Sequence, residues 1–435
     1  MSVDTTLSYD VALGLFGVEE SVPPRMPEIE IQARLFNGEF GTHWTTTRGA
    51  EVEVIHFGEW NREAGPDFRG ARLRFADGSE RDGDIEVDVD PRDWENHGHA
   101  SNPAFAGVLL QLFVHASGPQ AFARTLENRE VVQARLDINQ PRARPLSRIP
   151  GTVEREAAVA MIEEAADFRL RQKQTAYSTA VTLHGADTAL FHAIAAGLGY
   201  KNNSVPFLLL AQRTGIRVAG SASGAARLFG LAGFLEPRTF DAADGVTRDY
   251  LKPLWEDWWA VRDGLARLVL PGSVWKLSGL RPSNHPHRRI GALAAVARGF
   301  GDLRRAAKRD GIRGFEKFFD GLTDEYWSRH WNLSAARLDR DLALVGVDRV
   351  RDLVINAWIP SLPLELAREE LARRTGPTAS GKILRACEWL IGRTDARLFK
   401  TALHQQGLLQ LYSDFGSLTP IEAWGRIRSG GGQST

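Results

Sequence analysis

Lysine is scarce in this chain and missing from its first third. Only eight of the 54 basic residues are lysines, and the first is Lys173. Chemistry that needs a titratable amine is therefore excluded upstream of that point. There arginine carries the positive charge, and arginine does not act as a base near neutral pH. Cysteine is rarer still. The lone Cys387 excludes an intramolecular disulfide and a multi-cysteine metal site. It lies at helical spacing in ILRACEWLI and reads as a buried helix residue. No apolar run approaches the roughly 18 residues a membrane span requires. The first twenty residues are acidic with no basic lead, unlike a signal peptide, and a cytoplasmic location is the expectation. A Walker loop, a dinucleotide fingerprint and a serine-nucleophile elbow are also missing. Net charge is zero, 54 acids against 54 bases, which excludes a chain-wide polycation built for nucleic acid or anionic membranes.

What is present describes a folded protein of 435 residues, 43% hydrophobic and 25% charged, with 12 tryptophans. At roughly 100–200 residues per domain, two or three domains are expected. Residues 27–36 (PEIEIQARLF) mix helix and strand signals. Residues 51–57 (EVEVIHF), 68–75 (FRGARLRF) and 84–89 (DIEVDV) alternate as strands, and residues 105–115 (FAGVLLQLFVH) read as a buried strand. The stretch 142–150 (RARPLSRIP) marks a boundary. Beyond it the chain is alanine-rich with apolar residues at helical spacing. The expected fold class is α/β: an N-terminal sheet domain over residues 1–150, then a mainly α-helical region over 151–435 that is open to subdivision.

The densest chemistry lies within residues 58–115. Residues 77–95 hold nine acids and two arginines, a local charge of −7. Along a strand Asp84, Glu86, Asp88 and Asp90 share one face, while Ile85, Val87 and Val89 share the other. Like charges then recur about 7 Å apart, an arrangement that needs water, arginines or a cation. Asp67 stands just before the strand that pairs with the acidic one. Asp67, Glu86 and Asp88 together make a hard-oxygen set suited to Mg2+ or Mn2+. The competing reading is a solvated acidic sheet face with Asp67 capping a turn. His97 and His99, two apart around a glycine, offer Zn2+ as an alternative, with Asp93, Glu86 and His115 as further donors.

These residues also carry two resemblances. Gly58, Asn61, the block Ala64-Gly65-Pro66-Asp67-Phe68, Ala71, Gly83 to Val87, Asp93-Trp94, His97, His99 and the strand ending at His115 resemble the signature of the bacterial domain of unknown function 2851. The resemblance continues at residues 200–211 (YKNNSVPFLLLA), at Arg281 to Asn284 with Pro286 and Arg289, and at residues 404–412 (HQQGLLQLY). It implies no established activity. Pro66-Asp67, a hairpin, then Glu86-Val87-Asp88 is similar to the PD-(D/E)XK nuclease arrangement. That similarity implies a restriction-endonuclease-like sheet in which Asp67 and Glu86 bind the ion. It also implies a helix glutamate, for which Glu39 or Glu30 is the candidate. The lysine of that pattern is replaced by Asp88. Asp88 as a further ligand, His97 or His99 as a base, or Arg69, Arg72 and Arg74 as phosphate holders would have to compensate.

Elsewhere, Arg281, Arg288 and Arg289 precede or open a helix and are candidates for phosphate binding. Asn61, Asn284, Gln405 and Gln406 are candidates for polar contacts. The leading expectation is a divergent Mg2+- or Mn2+-dependent phosphodiesterase acting on nucleic acid, with Asp67, Glu86, Asp88, His97 and His99 as its catalytic set. The alternatives are a noncatalytic nucleic-acid or protein-interaction module and a zinc-dependent hydrolase of small substrates.

Overall fold

The computed structural model describes residues 26–61, 64–115, 122–136, 138, 155–241, 243–391 and 394–415. The expected boundary at 142–150 lies outside them. The chain divides into two compact units. One comprises residues 26–138 and 176–357, and the other takes its described residues from 155–175 and 358–415.

The first unit opens with helix α1 (Glu28–Phe36). Its E-I-E-I start has the period of a strand. The helix nonetheless forms, because Glu28 and Glu30 lie in its first turn and Arg34 in its last, each favourable to the helix dipole, and Ile31, Ala33 and Leu35 are buried. Among the described residues seven strands follow: β1 (His43–Thr45), β2 (Glu51–His56), β3 (Glu59–Trp60), β4 (Phe68–Phe75), β5 (Glu80–Asp88), β6 (Val108–Phe113) and β7 (Val132–Arg135). Their order is β1-β2-β4-β5-β6-β7, with β3 also on β4. Strands β1 to β5 pair antiparallel, whereas β6 runs parallel to β5 and β7 parallel to β6. The parallel step requires a long crossover, which the chain makes through residues 89–107 and the short helix α2 (Asp93–Asn96). The sheet curls until its outer strands meet, Thr46 bridging Ala134. This is an α/β fold: a mixed, half-barrel sheet followed by a mainly helical chain.

The longer helices are α3 (Arg155–His184), α4 (Ala186–Thr214), α5 (Gly224–Leu231), α6 (Gly245–Trp259), α7 (Pro286–Arg298), α8 (Phe300–Asp320), α9 (Val347–Leu353), α10 (Leu364–Arg373), α11 (Gly381–Ile391) and α12 (Ala402–Phe415). Helix α4 is broken at Tyr200 (φ 56°), where the sequence pattern divides two apolar stretches. In the second unit Ala158, Ile162 and Ala165 of α3 form one core with Ile383 and Cys387 of α11 and Leu408 of α12. Cys387 is buried there, as its helical spacing predicts. Among the described residues no helix is long and apolar enough to cross a membrane.

Candidate metal centre

Strand β5 changes character along its length. Glu80, Arg81 and Asp82 are exposed, whereas Ile85, Glu86, Val87 and Asp88 are all buried. The acidic face of its second half is therefore not solvated. Glu86 is 7% exposed and Asp88 1%. Register sets Glu86 opposite Gln111 and Gln111 opposite Gln133, a polar stripe across three parallel strands. Gln133 Nε2 donates to Gln111 Oε1 at 2.7 Å, and Gln111 Nε2 donates to Asp88 Oδ2 at 2.6 Å. Gln111, fully buried, thus fixes one oxygen of Asp88 and leaves the other free of that bond.

Asp67 arrives from the start of β4. Its loop is pinned by Asn61, whose side chain donates to Pro66 O at 2.8 Å and whose amide donates to Asp67 O at 2.7 Å. Asn61 therefore positions the loop. Gly58 is obligatory here: its φ is +71°, and a Cβ would stand 2.1 Å from Arg69 O. Asp67 Oδ2 accepts from Val87 N at 2.9 Å, and Asp67 N donates to Glu86 Oε2 at 3.1 Å. Its Oδ1 accepts from Gln32 of α1 at 2.8 Å, and Gln32 also donates to Glu28 at 3.0 Å. The helix acid beside this cluster is thus Glu28. The candidates named from sequence, Glu30 and Glu39, both pair with Arg34 instead.

The crossover after β5 supplies the histidines. Gly98 (φ 74°) turns the chain between α2 and the turn His99–Ser101, setting His97 and His99 beside the acids. His97 Nδ1 is 3.6 Å from Asp88 Oδ1, and His99 Nδ1 is 3.7 Å from Glu86 Oε1. His99 is stacked on Phe105 at 4.0 Å with Trp94 edge-on at 5.4 Å. It is 7% exposed, and its Nδ1 is buried with no hydrogen bond from the described residues. One donor atom from each of Glu86, Asp88 and His99 lies within 4.8 Å of the others. Asp67 flanks this set but is not in it. Asp93 is occupied capping the crossover turn, accepting from Asp90 N at 3.0 Å.

Burial dominates the electrostatics. It raises Glu86 to about 10, helped by the neighbouring charges of Asp67 and Asp88. It raises Asp88 to about 7 against the opposing pull of the Gln111 hydrogen bond, and it holds Asp67 well above the usual carboxylate range. Glu28 is raised by burial too. Burial, with the charge of His97, pushes His99 down to about 4. Buried carboxylates that crowd together either hold protons or need a cation. Among the described residues no arginine or lysine forms an ion pair with Glu86 or Asp88, and β4 shows why. Arg72 is committed to Asp82 at 2.8 Å, and Arg74 to Glu80 at 2.8 Å and Glu53 at 2.5 Å. Arg69 is exposed and donates to Ala64 O.

The other candidates are engaged in contacts of their own. Arg288 is 1% exposed and donates to the carbonyls of Trp327, His330, Leu342 and Ala343, so its guanidinium ties the chain together and is not open to phosphate. Arg289 is buried and donates to Asn284 Oδ1 at 3.0 Å, while Arg281 is exposed. Gln405 and Gln406 belong to the second unit. Gln405 donates to Pro377 O and Phe399 O, and Gln406 accepts from Arg169 and Lys173. Both glutamines hold their own unit together. Sequence reasoning missed Glu28 and Gln32, although their i, i+4 spacing would place both on one helix face.

The model of the family described as protein of unknown function (DUF2851) matches residues 34–373. The chain belongs to this family. The match takes in Asp67, Glu86, Asp88, His97, His99, Gln111 and Gln133, and it starts after Glu28 and Gln32 and ends before Gln405. No curated protein and no solved structure gives a match.

Proposed function

We propose that this protein is a divergent metal-dependent phosphodiesterase that acts on nucleic acid. The observation that carries the reading is the buried Glu86–Asp88–His99 set, in which, among the described residues, neither carboxylate pairs with an arginine or lysine and the Nδ1 of His99 lacks a hydrogen bond. The donor chemistry fits a divalent ion: two hard oxygens and one imidazole suit Mn2+ and Zn2+ as well as Mg2+. Bound there, such an ion supplies Lewis acidity toward a phosphoryl oxygen and lowers the pKa of water.

The chain's own residues have separable tasks. Glu86, Asp88 and His99 offer the ligand atoms. Asp67 holds the backbone of β5 through Val87 N and, with Glu28, adds negative charge beside them. Gln111 and Gln133 orient Asp88. His97, half-exposed at the rim and 3.6 Å from Asp88, is placed to take up a proton at a ring nitrogen, a task that falls to lysine in the nuclease pattern. The order helix acid, Pro-Asp, hairpin, Glu-x-Asp supports a nuclease-like reading, and Asp88 in place of lysine makes it divergent.

The test is a cleavage assay on labelled single- and double-stranded DNA and RNA with Mg2+, Mn2+ or Zn2+. Cleavage that is lost in Glu86→Gln and Asp88→Asn and kept in Arg72→Ala supports the proposal. Metal binding without cleavage of any substrate would transfer the reading to the noncatalytic module. Cleavage unchanged in both acid variants would reject the assigned residues.

A further inference from the structure

Arg288 and Arg289 are neighbours on α7 with opposite fates. Arg288 spends its donors on four carbonyls. Among the described residues the Arg289 side chain, only 3% exposed, makes one hydrogen bond, from Nη2 to Asn284 Oδ1, and its Nε and Nη1 are buried with no acceptor. A third guanidinium, Arg349 of α9, adds its positive charge to that felt by Arg289. The Nε of Arg349 is also buried without an acceptor, while its Nη1 pairs with Asp352 at 2.8 Å. Asp324, whose charge acts on Arg288, is bound to Arg298 at 3.0 Å and accepts from two backbone amides. Burial first, then the charges of Arg349 and Arg288, pulls Arg289 down to about 9.

Buried cations are tolerated when they are paired and hydrogen-bonded. Here two arginines present three N–H-bearing nitrogens with no acceptor among the described residues. Asn284, half-buried, holds Arg289, and Tyr200, 43% exposed, lies 3.9 Å from Arg349. The arginines are thus close beneath the surface. Tyr200 occupies a left-handed conformation at the break of α4, a costly geometry for a residue other than glycine. From these observations we infer that Arg289 and Arg349, framed by Asn284 and Tyr200, form a binding site for a phosphate-type oxyanion. A tetrahedral oxyanion has enough acceptors to satisfy both guanidiniums at once. None of these residues is shared with the metal centre, so the site stands whether or not that centre is catalytic.

The probe is inorganic phosphate, titrated into the full chain and read by thermal unfolding against sodium chloride at equal ionic strength. Wild type is expected to show a saturable rise in Tm. Arg289→Met and Arg349→Gln are expected to bind phosphate at least about tenfold more weakly, and exposed Arg281→Gln is expected to bind as wild type does. Without phosphate, Arg289→Met unfolds no earlier than wild type, because it removes an unpaired buried cation. If that variant fails to fold, Arg349→Gln carries the comparison. A nucleoside monophosphate and a short single-stranded oligonucleotide identify the source. Displacement of phosphate by the oligonucleotide assigns the site to a polynucleotide backbone, and binding of inorganic phosphate alone assigns it to the free anion. The site is refuted if chloride reproduces the rise, if Arg281→Gln loses as much as Arg289→Met, or if no probe binds.

Discussion

Strand β5 is one run of alternating acids with two environments. In its outer half the acids face arginines across the strand pair, as in Arg72 with Asp82 and Arg74 with Glu80, all exposed. There Arg72, through its hydrogen bonds and then its charge, holds Asp82 below its ordinary pKa. In its inner half Glu86 and Asp88 are buried beside Asp67, with amides and histidines in place of arginines, and burial drives their pKa values up. The same residue type at the same spacing is thus a solvated ion pair at one end and a buried cluster without arginine partners at the other. Local charge density does not mark a site. Carboxylates gathered without a basic partner, in a place water does not reach, do.

The largest expected effect comes from removing the inner acids. Mn2+ or Mg2+ is expected to raise the Tm of the wild type. Glu86→Gln and Asp88→Asn each lose a ligand, so each should weaken metal affinity by at least about 100-fold, the upper end of what loss of a supporting residue costs. Isothermal titration with the metal alone checks this. Wild-type affinity retained in both variants would erase the distinction between the two halves.

The pH dependence of the metal-free protein sharpens the same contrast. Glu86 and Asp88 have folded pKa values above their unfolded ones, so the folded state binds the extra protons. Their contribution to stability is full below about pH 4 and declines as pH rises, until about 7 for Asp88 and about 10 for Glu86. Each acid held protonated contributes a slope of up to about 1.4 kcal/mol per pH unit. Chemical denaturation in chelator between pH 5 and 9 should show this decline. Glu86→Gln should flatten it, and a divalent ion should offset it most at the alkaline end.

The amide relay gives a smaller, purely structural effect. Gln111→Leu leaves the Gln133 Nε2 donor and Asp88 Oδ2 without their partner, a loss of about 1–3 kcal/mol measurable by denaturation. Little loss would mean that Asp88 is not held by the stripe.

Much of the sheet and of its acid cluster was legible before the fold. The strands at 51–57 and 68–75 fall within a residue of their observed limits, because strict alternation of apolar and polar residues has few other solutions. Asp67, Glu86 and Asp88 were identified as one cluster from the hairpin that joins them. What stayed hidden depends on partners distant in sequence. The alternation of PEIEIQARLF hid a helix, and with it Glu28 and Gln32. Parallel pairing of β6 with β5, set by a crossover and not by a turn, put Gln111 beside Asp88. Whether an acidic face is wet or buried depends on what covers it. That information lies in α1 and in the His97–His99 loop, not in β5 itself.

The smallest expected effect lies in the outer half, and it is the control on which the contrast depends. Arg72 and Asp82 form an exposed, two-bonded pair, and exposed pairs are screened by water and salt. Arg72→Ala, Asp82→Asn and the exchanged pair Arg72→Asp/Asp82→Arg should therefore leave Tm within the scatter of repeated scans. They should also leave the metal-induced rise intact. The exchanged pair is the sharper variant, because it keeps net charge and reverses the local field four residues from Glu86 along the same strand. If reversal there altered metal affinity as strongly as Glu86→Gln, the two halves would be one electrostatic unit. The ion would then be responding to the summed charge of the hairpin. If affinity holds, the buried Glu86–Asp88–His99 set acts alone, and the outer ladder of acids and arginines serves only to keep an otherwise repulsive strand paired.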